Sequence, residues 1–266
     1  MNDAKPLALV TGASSGIGLE LAVLLAERGH DLVVNAEDDT RLRRAAERVR
    51  AAGATVATVR ADLRDPAGTE ALYAAVLATG RPLDVAVLNA GVGRGGAFVE
   101  TDLADELEVI DLNVRSTVHL AKLVVRDMAI RDEGRVLVTS SVASMMPGSF
   151  QAVYNASKSF LQSFVQALQN ELKDTGVTLT SLMPGPTETD FFHRADMDDT
   201  RIGRQDKDDP AQVARQGIDA LFAGKDKLVA GSARTKAQGL AGKVLPDGLK
   251  GELHRKMAEP GSGEQA

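Results

Sequence analysis

Thr11-Gly12-Ala13-Ser14-Ser15-Gly16-Ile17-Gly18 separates a short apolar run, Leu7 to Thr11, from a longer helical pattern that runs through Arg28. The glycines follow a G-x-x-x-G-x-G spacing. Between a strand and a helix each has a separate task. Gly12 takes the tight turn, Gly16 clears a side chain from where backbone approaches a phosphate, and Gly18 lets the helix pack closely on the strand. The helix start offers unpaired N–H groups and the positive end of its dipole to an anion. Ser14, Ser15 and Ile17 complete the loop. The stretch reads as the phosphate cradle of a dinucleotide site, with its ligand at the carboxyl ends of parallel strands.

The chain on either side keeps the same alternation. Strands are predicted over 31–35, 55–60, 84–88, 134–140, 177–182 and 227–230. Helices are predicted over 40–52, 66–79, 151–173 and 210–222, with a long helical region over 103–131 that divides in two. Strand–helix alternation of this kind implies a parallel sheet with right-handed crossovers. The expected fold class is α/β: a single-domain, doubly wound parallel sheet of about seven strands flanked by helices on both faces. No composition shift marks a linker, so residues 1–258 read as one domain. Residues 190–209 are polar and irregular, a candidate substrate loop or lid, and 259–266 read as a flexible tail. Gly93, Gly95 and Gly96 mark a mobile segment or a plain turn cluster.

Composition narrows the function. Apolar residues make up 44% of the 266, aromatics only 3%, and Trp is absent, so the core is built from Ala, Val and Leu. That aliphatic bias suits strands covered on both faces. The net charge of −6 argues against nucleic acid, which needs a concentrated basic face. The arginines at 41, 43, 44, 48 and 50 are interrupted by Glu47 and read as a solvated helix face. With no cysteine, disulfides, thiolate nucleophiles and Cys-ligated zinc are excluded. The four histidines are not clustered, so no metal site is expected, and His193 reads as a surface or lid residue. Residues 1–6 do not read as a signal peptide, and no apolar run approaches the roughly 20 residues of a membrane span. The expected location is the cytoplasm, without a membrane partner.

Tyr154 and Lys158 stand four apart in a helical segment, on one helix face. A free tyrosine titrates at about 10, too high for a good base near neutrality. An ammonium ~4 Å away in an effective dielectric of ~20 favours the phenolate by roughly 4 kcal/mol, up to about three pKa units, with desolvation opposing part of this. Tyr154 is therefore a candidate general acid or base. Thirteen residues before it, at the end of the fifth strand, a serine hydroxyl can orient a substrate oxygen. Ser140 and Ser141 both stand there, on opposite faces of the strand. Glu37 falls nineteen residues after Gly18, near the spacing of an acid that binds the ribose 2′-hydroxyl. The loops after the fifth and sixth strands carry Ser144, Met145, Met146, Phe150, Phe191 and Phe192, candidates for an apolar substrate rim.

Together these motifs resemble the short-chain dehydrogenase/reductase family, from about Leu7 to about Thr189. The resemblance rests on the glycine loop, Asp62-Leu63, Asn89-Ala90-Gly91, Asn113, Ser141, Tyr154-Asn155-Ala156-Ser157-Lys158 and Pro184-Gly185, in that order. It implies a Rossmann fold and a hydride transfer between NAD or NADP and a secondary alcohol or ketone. It selects Ser141 over Ser140 and implies catalytic roles for Asn113, Ser141, Tyr154 and Lys158, with Asn113 holding a water for a proton relay to Lys158. Asp62 would bind the adenine amino group, with Leu63 in support. Asn89, Ala90 and Gly91 would line the adenosine and ribose side, and Pro184, Gly185, Thr187 and Thr189 the nicotinamide side. In phosphate-preferring relatives an arginine is common where Glu37 stands. Ser14 and Ser15 supply no basic residue, so NAD is expected over NADP, with Arg41 as the residue able to reach back. The resemblance also implies a homodimer or homotetramer. Two other functions fit the fold: a non-catalytic dinucleotide sensor, and an epimerase or dehydratase, for which too little chain follows. The segment after Arg201 points to no substrate class.

Overall fold

The structure, a computed structural model, describes residues 5–265. The reading of residues 1–4 as part of no leader lies outside them. Seven strands form one sheet: β1 (Leu7–Thr11), β2 (Asp31–Ala36), β3 (Val56–Arg60), β4 (Leu83–Leu88), β5 (Gly134–Thr139), β6 (Val177–Pro184) and β7 (Lys227–Ala230). Their order is β3-β2-β1-β4-β5-β6-β7, and every pairing is parallel. The crossovers reverse direction between β1 and β4. There the carboxyl ends of the strands diverge and open a crevice.

The two-residue period of the strands divides the core into two layers. Ala8, Val10, Leu32, Val34, Val85, Val87, Leu137 and Leu182 face α1 (Gly16–Glu27), α2 (Asp39–Ala51) and α9 (Pro210–Phe222). Their alternates Leu7, Leu9, Val33, Ala86, Leu88, Val136, Val138 and Leu179 face α3 (Pro66–Leu77), α5 (Ser116–Arg131) and α6 (Ala152–Glu171). Each fully buried Leu or Val contributes about 1.5–3 kcal/mol. Asp38, Asp65 and Asp209 cap their helices by accepting from backbone N–H groups, which sets where the strand-to-helix turns end.

The long helical region does divide in two. α4 (Leu103–Ile110) and α5 are joined by a π-helical turn, Asp111–Arg115, which holds Asn113. Three segments differ from their sequence reading. Residues 190–209 are ordered, with α7 (Phe191–Arg194), α8 (Arg201–Arg204) and a small core of Phe192, Ala195 and Met197. Three apolar side chains scattered among acids carry no period, so the pattern hides this packing. Beyond β7, α10 (Ala233–Val244) and α11 (Asp247–Ala258) fold back over the crevice. The expected loose tail is tied down: Gly261 N donates to Asp199 at 2.7 Å, Gly263 N to the Asp199 carbonyl at 2.8 Å, and Arg201 to Ser262. These are largely backbone bonds, which glycine and serine make without any apolar signal. Among the described residues no helix is long and apolar enough to cross a membrane.

Truncation after Ala258 removes these ties. The shortened chain should unfold roughly 4–8 °C lower, about two net hydrogen bonds' worth. An unchanged melting temperature in calorimetry would show that the tail contributes nothing.

Candidate active site

One continuous cleft runs along the carboxyl edge of the sheet. Its lining includes Gly12, Ser14 to Gly18, Asn89 to Gly93, Thr139 to Ala143, Tyr154, Lys158, and Pro184 to Thr187 with Thr189. At one end α1 begins. Ser15 is extended there, its side chain makes no capping bond, and no acid stands in the first turn. The leading N–H groups are thus left for an anion. Gly12 has a φ of +63°, and a Cβ there would meet the Ala90 backbone at 2.9 Å. A Cβ on Gly18 would collide with the Gly12 carbonyl oxygen. The loop is therefore a cradle that side chains would fill, which fits a diphosphate.

The strand ends beside it are braced by side chains. Thr11 Oγ1 accepts from Asn89 N at 2.9 Å and Ala90 N at 3.0 Å. Asn89 Nδ2 donates to the Thr11 carbonyl, and its Oδ1 accepts from Thr139 Oγ1 at 3.0 Å. Thr11 belongs to the glycine-loop stretch and Thr139 to no motif, and the bracing role of both is visible only in the fold.

Tyr154, Ser141 and Lys158 meet midway along the cleft. Tyr154 is 9% exposed and Lys158 5%. Burial pushes the Tyr154 phenol up to about 12, and a hydrogen bond from Ser141 pulls the other way. Burial brings Lys158 down to about 8. This corrects the expectation that Lys158 lowers Tyr154. The ammonium donates to the Thr139 carbonyl at 3.0 Å and lies 5.8 Å from the Tyr154 ring centre, so desolvation outweighs the attraction. Ser140 turns away and donates to the Lys158 carbonyl, which leaves Ser141 beside the phenol. Asn113 is fully buried. It exchanges two 2.9 Å bonds with the Val92 backbone and donates to Ser157 at 3.0 Å. Its side chain braces the loop after β4. A Cβ on Gly91 would sit 3.0 Å from Asn113 Oδ1 and 3.3 Å from Lys158 Nζ, so both residues converge behind that glycine.

The far end differs from expectation. Glu37 and Asp62 line a smaller cleft with Arg60 and Arg64, while Leu63 is buried in the core. Arg64 is paired with Glu37 at 2.7 Å, with Asp62 at 2.8 Å, and with Glu108. Arg194 reaches Glu37 at 3.3 Å. The Arg64 hydrogen bond holds Asp62 below its ordinary carboxylate range. Basic groups therefore do surround Glu37, though not from Ser14, Ser15 or Arg41. Arg41 pairs instead with Asp190. These partners are separated by 27 to 157 positions, beyond the reach of local pattern.

On the substrate side Met146, Phe191 and Phe192 line the cleft, and Phe191 packs against Tyr154 with ring centres 5.2 Å apart. Met145 does not line it. It closes the short 3-10 turn after Ser141 and packs against Gly242 of α10. The nicotinamide-side residues are held by local bonds: Thr187 Oγ1 donates to Gly185 O at 2.9 Å, and Thr189 Oγ1 accepts from Phe191 N at 3.3 Å. Gln238, Leu245, Leu253, His254 and Met257 of the last helices were not foreseen. Their segment carries no chemical motif, only single apolar residues among polar ones.

The sequence profile described as short chain dehydrogenase matches residues 6–200. The chain is 37% identical over 192 residues to a monensin polyketide synthase putative ketoacyl reductase from Streptomyces virginiae, covering 71% of this chain and 73% of that protein. It superposes on a short chain dehydrogenase/reductase from Burkholderia phymatum in complex with NAD (TM-score 0.79, 26% identity, 86% and 90% covered). A short-chain dehydrogenase from Sphingobium yanoikuyae in complex with NADPH gives a TM-score of 0.77 at 29% identity, with 91% and 96% covered.

The lowered pKa of Lys158 is also a statement about stability. An unfolded lysine titrates near 10.5, so below about pH 8 the fold carries the full cost of a buried cation, about 3 kcal/mol. Between pH 8 and 10.5 that cost fades as the folded chain releases the proton. Lys158→Met should therefore be more stable than the parent at pH 7 by about 1–3 kcal/mol, once the lost bond to Thr139 is counted. Denaturant titration should show the gap closing as pH rises to 10.5. A variant less stable at pH 7 would mean the lysine is well compensated.

Proposed function

Because the chain belongs to the short-chain dehydrogenase family, we propose that it is a nicotinamide-dependent reductase of ketones, with Tyr154 as proton donor. One observation carries this reading: a buried phenol, a serine hydroxyl and a lysine meet in the cleft that leads to the uncapped start of α1. The cradle of Gly12 to Gly18 would hold the diphosphate, and Thr187 and Thr189 the carboxamide. The bound cofactor supplies or accepts the hydride.

This chain's own residues handle the oxygen. Ser141 orients the carbonyl by a hydrogen bond and stabilises charge that develops on it. A phenol titrating near 12 keeps its proton at neutral pH and gives it up only to a stronger base. A developing alkoxide is such a base, so in the reductive direction Tyr154 donates its proton to it. Lys158, largely protonated below about pH 8, eases departure of that proton by its charge. Asn113 acts through position, fixing the loop of Gly91 and Val92 against α6.

The cofactor reading is NAD over NADP. Glu37 stands just past β2, where it can accept from a ribose 2′-hydroxyl and repels a 2′-phosphate. The arginines around it weaken that repulsion but are already paired. The exposed apolar side chains Leu103, Leu107, Ile110 and Phe160 on α4 and α6 are where a second copy would pack to form a dimer or tetramer. A small-molecule substrate, rather than a macromolecule, is the reading that the family supports.

Two measurements test this. Tyr154→Phe should lose about 10²–10⁴-fold in kcat with NADH affinity kept; a variant that retains a tenth of the turnover removes Tyr154 from the mechanism. Wild type should favour NADH over NADPH in kcat/KM. Glu37→Ala should move that ratio toward NADPH by about tenfold, because Arg194 then loses its acid and Arg64 one of its three. A wild-type preference for NADPH overturns the cofactor reading.

A further inference from the structure

The match to the family profile ends at residue 200, so α10 and α11 lie beyond it. They wall the cleft opposite the glycine loop with Leu245, Leu253 and Met257, facing Met146, Phe192 and Ile202. Lys250 is there too, but its ammonium is engaged by the carbonyls of Met145 and Gly242 at 3.2 Å and by Asp247 at 2.7 Å. It staples the lid down rather than offering a charge. Asp190 is the one carboxylate of the lining, and it is paired with Arg41. A cationic substrate group finds no free carboxylate in the lining among the described residues.

His254 is different. It lines the same cleft from α11 and is 5% exposed. Its Nδ1 lies 3.0 Å from the Ser149 carbonyl oxygen. A carbonyl only accepts, so Nδ1 carries the hydrogen. Burial pushes the imidazole below its ordinary range, so the ring is neutral and Nε2 keeps a lone pair. Among the described residues Nε2 has no hydrogen-bond partner. The residue lines the cleft, so this nitrogen is an acceptor open to a ligand that donates to it. The ring is also fixed in place: Ser149 Oγ donates back to the Gly251 carbonyl at 3.4 Å, and Ser149 lies just before the helix that carries Tyr154. Two recognition points, the phenol and the imidazole, are thereby held at a set separation.

We propose that the cleft takes ketones with an apolar, ring-containing body that carries a hydroxyl group away from the reacting carbonyl, and that His254 Nε2 accepts the hydrogen bond of that hydroxyl. This rests on the reductase reading, which places the carbonyl at Tyr154 and Ser141. A neutral donor fits where a cation would lack a counter-charge. A fixed separation makes recognition depend on where the hydroxyl stands on the ring.

The test uses benzylacetone and its three ring-hydroxylated isomers. Their affinities are measured by calorimetry on NADH-loaded Tyr154→Phe protein, and kcat/KM on wild type. At least one hydroxylated isomer should bind about tenfold tighter than benzylacetone and gain similarly in kcat/KM. His254→Phe should bring that ratio to about one without changing NADH affinity. His254→Gln, whose amide oxygen still accepts, should restore part of it. His254→Met repeats the loss where a phenyl ring disturbs α11. Equal affinity for all four ketones, no binding of any, or a preference that survives both His254→Phe and His254→Met overturns the proposal. Turnover of benzylacetone that vanishes in Tyr154→Phe supports the reductase reading whichever way His254 behaves, so the two failures are read separately.

Discussion

Thr11 Oγ1 holds together two strands that the chain's own crossovers pull apart. β1 and β4 are neighbours in the sheet, yet the connections after them leave toward opposite ends of it. A parallel sheet of this order must open a crevice there, and backbone groups at the opening lose their ladder partners. The threonine hydroxyl takes up two of them, Asn89 N and Ala90 N, and donates weakly to Val87 O at 3.4 Å. Asn89 then carries the link to β5 through Thr139. The width of the crevice follows from these few bonds. So does the close approach of α1, where Gly18 sits against the Gly12 carbonyl and Asn89 with no room for a methyl group. The phosphate cradle and the floor of the reacting centre are two sides of one brace.

The reacting centre shows a second constraint, the low polarity of the place where its charges must work. Lys158 and Tyr154 lie on one face of α6, as their spacing requires. Proximity alone suggests an ion pair with an acidic phenol. Burial decides otherwise, because each charged form loses water and gains only part of it back from protein dipoles. The lysine finds the Thr139 carbonyl, and the tyrosine finds Ser141. Both titrate away from their ordinary values, each toward its own neutral form. On the proposed mechanism such a pair gives up a proton when a strong base is generated beside it and holds that proton until then.

How much could be read in advance follows from the range of each interaction. Strand faces, helix faces and the glycine loop are local: their signals lie within a few residues, and the two core layers alternate along each strand as a period of two demands. The spacing of Tyr154 and Lys158 is equally local. The pairing of Glu37 with Arg64 and Arg194 is not, since Arg64 belongs to the turn after β3 and Arg194 to α7 after β6, which only the sheet order brings together. Asn113 had a role by resemblance, but its bracing of Val92 and Ser157 needed the π-helical turn, which no residue pattern announces. The cover of the cleft was least legible. Residues 190–209 and the last helices bury single apolar side chains among polar ones, without a period to read.

That cover is not merely laid over the cleft. Asp208 shares a bridge with Thr187, and its carboxylate accepts from Thr235 Oγ1 at 2.5 Å and from Ser232 N at 3.0 Å. Thr235 in turn crowds Gly185, where a Cβ would meet it at 2.6 Å. One buried acid thus joins the loop after β6 to the first turn of α10. From α10 the chain turns into α11, which is stapled to the loop before α6 through Lys250 and His254. The path closes a ring, from the loop after β6 through the lid and back to the helix of Tyr154. In a ring of this kind the substrate wall cannot shift without moving a group that holds the reacting centre. Selectivity and chemistry are therefore coupled through packing, even though they arise from opposite ends of the chain.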